Sequence, residues 1–242
     1  MARSVVGVDS AADALLRPVR AGNAFEETVE RLLQAIRLGA VGAGERLPPE
    51  RALAERLGIS RVTLREAIHA LADAGYVESR RGRYGGTFVT ATLPTPPDGA
   101  ERSFDRASLE DVLSLRYVLE TGAAELGAAR ELAPSERAHL TATLAEASAA
   151  GLTDYRRRDS RLHLAIAEVT ASASLTSAVA DARTRVNGFL DQIPLLEPNL
   201  GHSNDQHHRI VEAVLAGDVT GARQAMAEHL DGTASLLRAF LS

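Results

Sequence analysis

Residues 47–89, LPPERALAERLGISRVTLREAIHALADAGYVESRRGRYGGTFV, constrain the fold more than any other stretch. Pro48-Pro49 opens a short helical pattern where a missing N–H costs least. Its apolar side is Leu53, Ala54 and Leu57, and Gly58 ends it. Ser60 is a good N-cap for the next helix, with Leu64, Ala67, Ile68 and Leu71 on its core side and Arg61, Thr63 and Arg65 on the other. After Gly75, residues 76–79 and 87–90 read as short strands joined by an arginine- and glycine-rich turn. Upstream, Phe25, Val29, Leu32, Leu33 and Ile36 form one helical stripe over 25–38. Three helices and a two-stranded hairpin are the plan of a winged helix-turn-helix.

Such a unit binds DNA because the major groove admits a helix, and residues at the helix start reach base edges. Arg61 and Arg65 lie four apart and share a face, while the wing glycines permit close approach to the sugar-phosphate and Arg81 and Arg83 supply charge. The bland alternative is a solvated charged helix beside a charged turn, but the ordered combination favours DNA. A net charge of −5 does not oppose this, because the acidic excess is confined to one part of the chain. Residues 25–90 hold ten Arg and nine acids, whereas 91–242 hold fourteen Arg and twenty-one acids. Arg61, Arg65, Arg80, Arg81 and Arg83 can therefore form a local basic face.

The sequence predicts a mainly α protein in two domains. Residues 1–22 read as an arm in which Arg3, Arg17 and Arg20 could touch phosphate, 23–91 as the winged domain, 92–107 as a proline-containing linker and 108–242 as an all-helical bundle. Ser108 with Asp111 reads as a cap opening the bundle, and further helices are expected at 134–150, 152–171, 174–192, 203–216 and 219–241. With no cysteine, disulfides, zinc ribbons and thiol catalysis are excluded. The missing cysteines, together with the lack of a signal-peptide core or an apolar run near the roughly 20 residues of a membrane span, predict a soluble cytoplasmic protein with no membrane partner.

Asp159 and His163 share a helix face with Leu162, Ile166 and Val169, so they point inward. His207 leads a stripe of Ile210, Val211 and Val214, and His229 lies in one of Met226, Leu230, Thr233, Leu237 and Phe240. Burying an unpaired polar group costs roughly 2–7 kcal/mol. A divalent metal would relieve that cost for all four at once, whereas hydrogen-bonded core histidines are the bland alternative; the spacing alone leaves both open.

The 47–89 stretch resembles the N-terminal domain of GntR-family bacterial transcription regulators, whose signature runs LPSERxLAxxxGVSRxTVRxALxxLxxxG before a wing ending in GTFV. That resemblance implies DNA contacts by Arg51, Arg61, Thr63, Arg65 and Gly82, with Val62 standing where several relatives carry a hydroxyl residue. The patterns DSRLH, QHHRIVEAVLAGD and ARQAMAEHL make the C-terminal part similar to the FCD effector domain of the FadR-type branch. The similarity implies a divalent ion such as Zn, Ni or Mn on Asp159, His163, His207 and His229, with His208 outside the ligand set. Ser172 stands where many relatives have asparagine. Arg116, in the family's RxxxE helix with Glu120, either meets a carboxylate effector or forms a structural ion pair.

The expected function is a homodimeric repressor released from a palindromic double-stranded DNA operator by a small organic acid. Two rivals accompany it: a regulator whose metal is purely structural, and a metal-dependent hydrolase fused to a DNA-binding unit. The absence of HExxH and of a nucleophile elbow weighs against the hydrolase.

Overall fold

The structure, a computed structural model, describes residues 16, 18–19, 21–37, 41–82, 85–94 and 106–241. Arg3, Arg17, Arg20, Arg83 and most of the expected linker lie outside the described residues. The chain divides into two compact units, one of 1–104 with 235–242 and the other of 105–234.

In the first unit, a 3-10 turn at Ala21–Asn23 leads into α1 (Ala24–Arg37), followed by α2 (Glu50–Leu57) and α3 (Arg61–Asp73). Phe25, Val29, Leu32 and Leu33 of α1 are buried with Leu53 and Leu57 of α2 and Leu64, Ile68 and Leu71 of α3. Each such side chain contributes roughly 1.5–3 kcal/mol on leaving water. Pro49 stands outside the helix as the N-cap of α2, one place earlier than the sequence suggests. Gly58 closes α2 in the left-handed conformation, with φ of 67°, so the chain turns sharply. Ser60 Oγ then accepts from the Thr63 N–H at 3.0 Å and starts α3.

Strands β1 (Val77–Arg80) and β2 (Gly86–Val89) pair antiparallel, Val77 opposite Val89 and Arg80 opposite Gly86. The segment before α2 adds to the outer edge of β2: the Leu47 N–H donates to Thr87 O at 2.9 Å and the Val89 N–H to Glu45 O at 2.9 Å. This second pairing was not visible in the sequence, because 44–47 carries no alternating pattern. Glycine is favoured at 86 because its φ of 146° is one that L side chains rarely adopt; a Cβ there would also displace the mobile end of the Arg46 side chain.

The second unit is helical, as expected: α4 (Arg106–Ala128), α5 (Pro134–Ser148), α6 (Tyr155–Glu168), α7 (Ala173–Leu190), α8 (Glu197–Ala216) and α9 (Val219–Leu241), whose residues from 235 on are grouped with the first unit. Its core gathers Leu140, Leu144, Leu162, Ile166, Ile210, Val214, Met226 and Leu230 from α5, α6, α8 and α9. Four helix starts depart from the sequence reading, α6 opening at Tyr155 rather than at 152. α4 is already helical at Arg106, so Ser108 is an interior residue and not a cap. α8 starts six residues before the expected 203, because Pro198 falls in the first turn, where proline needs no hydrogen-bond partner. Ser172 is the N-cap of α7, accepting from the Leu175 N–H at 3.3 Å.

Candidate metal centre and nucleic-acid interface

Helix α6 carries Asp159 and His163 one turn apart on its buried side. Helix α8 brings His207, and α9 brings His229. One ligand-type atom from each of the four lies within 4.8 Å of all the others. The ring centroids are 5.4 Å apart for His163 and His207, 5.0 Å for His163 and His229, and 4.5 Å for His207 and His229. The inward stripes read from the sequence thus converge on one point.

The facing atoms are identifiable. His163 Nε2 lies 3.2 Å from His229 Nε2 and 3.7 Å from Asp159 Oδ1, and His207 Nε2 lies 3.2 Å from the same oxygen. Two ligand atoms each about 2.0–2.1 Å from one ion sit about 3.0–3.4 Å apart, a range that contains both 3.2 Å separations. His207 Nδ1 has no hydrogen-bond partner, and Nε2 faces the Asp159 carboxylate oxygen at 3.2 Å. A buried polar atom so placed costs about 1–3 kcal/mol unless something fills the site.

Around the quartet lies a second ring of charge. Arg116 Nε on α4 donates to Glu120 Oε1 at 3.0 Å, both side chains being buried. Glu120 Oε2 faces His163 Nδ1, Arg183 of α7 pairs with Asp159 Oδ2, and Gln206 Oε1 stands 3.0 Å from His229 Nδ1. Glu120 as a partner of His163, and Arg183 and Gln206 altogether, escaped sequence reasoning. A signal existed for two of them: Glu120 and Arg183 are charges at core positions of their helices, Arg183 between Val179 and Val186.

These surroundings set the charge states. Burial lowers the His163 pKa from its ordinary 6.5 to about 4, against the opposing pull of Glu120. Burial above all, with the two neighbouring imidazoles beside it, holds His229 well below its usual range. Burial would raise the Asp159 carboxyl, but Arg183 and then His163 bring it well below an ordinary carboxylate. Neutral imidazoles beside an ionised carboxylate are the protonation states a divalent ion requires.

In the winged unit, Arg51, Arg61, Arg65, Arg81 and Gly82 are exposed and Thr63 is half-buried. Arg61, Thr63 and Arg65 stand together on the first turns of α3. Arg65 Nε pairs with Glu50 Oε2 at 2.7 Å, and the Thr63 hydroxyl lies 2.9 Å from Ser60 Oγ. Val62 is 65% exposed beside them. Arg80 is engaged within the wing, bonded to Glu78 and lying 4.3 Å from the centroid of the Phe88 ring. Arg83 lies outside the described residues.

A winged helix-turn-helix joined to a helical domain with a buried Asp/His cluster defines a class, the two-domain DNA-binding regulators. Residues 25–89 match the description "Bacterial regulatory proteins, gntR family", and residues 111–232 match "FCD domain". The chain belongs to the GntR family of bacterial transcriptional regulators and carries an FCD C-terminal domain. It is 30% identical over 226 residues to the "Putative L-lactate dehydrogenase operon regulatory protein" of Escherichia coli K12, covering 89% of this chain and 86% of that one. It is also 31% identical over 212 residues to the Uxu operon transcriptional regulator of the same strain, covering 81% and 80%. The solved structure of E. coli McbR/YncC shares the fold, with a TM-score of 0.51, 23% identity, and 88% and 97% of the two chains covered. The family and these relatives are transcriptional regulators and not enzymes, which ends the hydrolase reading. No described helix is long and apolar enough to cross a membrane.

Proposed function

We propose that this regulator is a homodimeric repressor that leaves a palindromic operator when a small carboxylate occupies a metal centre built from Asp159, His163, His207 and His229. The observation that carries the reading is the buried quartet, whose ligand atoms all lie within 4.8 Å of one another and make three contacts of 3.2–3.7 Å. A divalent ion there would supply a positively charged position for a carboxylate oxygen. The two buried arginines and two buried carboxylates cancel in charge, so metal loading leaves an excess of positive charge that an anionic effector would balance. Arg116 Nη1 is buried without a hydrogen-bond partner and is the natural donor to such an anion, although its Nε already serves Glu120. A relative's name refers to an L-lactate dehydrogenase operon, and lactate is a small carboxylate of this kind.

On the DNA side, Arg51, Arg61, Thr63, Arg65, Arg81 and Gly82 supply phosphate and base contacts, with Arg83 as a further wing cation. Arg65 would exchange Glu50 for DNA, since an exposed ion pair is worth only about 0–1 kcal/mol. Two heads bind one palindrome when its half-sites lie about a helical turn apart. A purely structural metal is the second reading, and the orphaned Arg116 Nη1 argues against it.

The test is fluorescence anisotropy on a duplex selected by the protein from a random pool, titrated with L-lactate and a panel of related carboxylates. At least one acid should weaken binding by tenfold or more in the zinc-loaded protein and have no effect on the zinc-free protein. Unchanged affinity across the panel would overturn the effector assignment.

A further inference from the structure

Three side chains around the quartet stand where they would decide which atoms face its centre. His163 and His229 could each present either ring nitrogen, and Asp159 either oxygen. Gln206 Oε1 can only accept, so at 3.0 Å from His229 Nδ1 it fixes the proton on Nδ1 and leaves the Nε2 lone pair bare. The Glu120 carboxylate does the same for His163 by facing Nδ1. Arg183 takes Asp159 Oδ2, which leaves Oδ1 toward His163 and His207. With both Nδ1 atoms protonated, His163 and His229 oppose two lone pairs across 3.2 Å. That arrangement is repulsive until a cation lies beside both. We infer that Gln206 and Glu120 are positioning residues that lock His229 and His163 as Nδ1–H tautomers, while Arg183 makes Asp159 a one-oxygen ligand, so that the centre is pre-set to bind through His163 Nε2, His229 Nε2 and Asp159 Oδ1.

This rests on the reading of the quartet as a metal site, and the two are tested separately. Groups that orient a metal-bound imidazole typically change metal affinity by about 10–100-fold when removed. Gln206→Met keeps the volume and removes the acceptor, and Gln206→Glu restores an acceptor. Zinc titration of the full-length protein should therefore show a 10–100-fold loss for Gln206→Met and wild-type or tighter affinity for Gln206→Glu, with thermal denaturation of the metal-free proteins showing that each is folded. The direct readout needs no variant: nitrogen-15 spectra of the metal-free wild type should show His163 and His229 protonated on Nδ1. Spectra showing Nε2–H on His229 would overturn the inference whether or not zinc binds, as would wild-type zinc affinity in folded Gln206→Met. Absence of zinc binding by the wild type together with Nδ1–H tautomers would instead remove the metal and keep the tautomer lock.

Discussion

Arg65 on α3 and Arg183 on α7 are each paired with a carboxylate, but the Arg65 side chain is 54% exposed and that of Arg183 only 2%. Exposure changes what the pair is for. Water and salt screen the Arg65–Glu50 pair, so separating it costs little and the guanidinium can turn to a phosphate. The Arg183–Asp159 pair has lost its hydration, and removing either partner leaves the other buried and uncompensated. The head keeps its charges exchangeable, whereas the charges of Arg183 and Glu120 in the helical domain are engaged with Asp159 and His163.

The sharpest way to break this contrast is Asp159→Ala, which strands Arg183. Denaturant unfolding of the metal-free variant at pH 7 should show a loss of about 3–5 kcal/mol. A loss below about 1 kcal/mol would place the pair in the same class as Arg65–Glu50.

Acid comes next in size. Because folding lowers the His163 pKa to about 4, the unfolded chain takes up its proton as pH falls through about 6.5 while the folded chain refuses it. Stability from this group is complete above about 6.5 and is lost as pH falls toward 4, with His229 acting in the same direction, while the contribution of Asp159 is lost only below about 3.8. The loss for His163 should reach about 3 kcal/mol. Unfolding of chelator-treated protein at pH 7 and pH 4.5 measures it, and equal stability at the two values would mean the imidazole is not held neutral by burial.

The head should respond in the opposite manner. Arg61→Ala with Arg65→Ala should weaken binding to the selected duplex by at least about 2 kcal/mol, as expected for lost base and phosphate contacts. Its unfolding free energy should move by less than about 0.5 kcal/mol, since both side chains are exposed. Unchanged DNA affinity would remove α3 as the recognition helix, and a large stability loss would show that its arginines are committed as Arg183 is.

Much of this was legible in the sequence because it depends on spacing within single helices. Asp159 and His163 fall four apart on an apolar face, His207 leads an apolar stripe, His229 lies within another, and Ser60 precedes a periodic run. All of these follow from the 3.6-residue period. Glu120, Arg183 and Gln206 were not legible in their roles, because each acts on a residue of another helix, 23 to 43 positions away in sequence, and no local pattern encodes that meeting. The pairing of 44–47 with β2 has the same origin. The start of α8 was missed for a different reason: a proline argues against a helix interior, yet Pro198 needs no donor in a first helical turn.

The central claim, that the quartet is a metal centre, is tested most directly by a neighbouring pair of histidines. His207 is fully buried, with its Nδ1 lacking a hydrogen-bond partner and its Nε2 facing Asp159 Oδ1, while His208 is exposed and its Nδ1 lies 2.8 Å from Asn204 O. Calorimetric titration of chelator-stripped protein with zinc should find one saturable site per chain in the wild type and in His208→Ala, and none in His207→Ala. A wild-type protein that shows no saturable zinc binding, or a His207→Ala variant that binds as tightly as the wild type, would contradict the account.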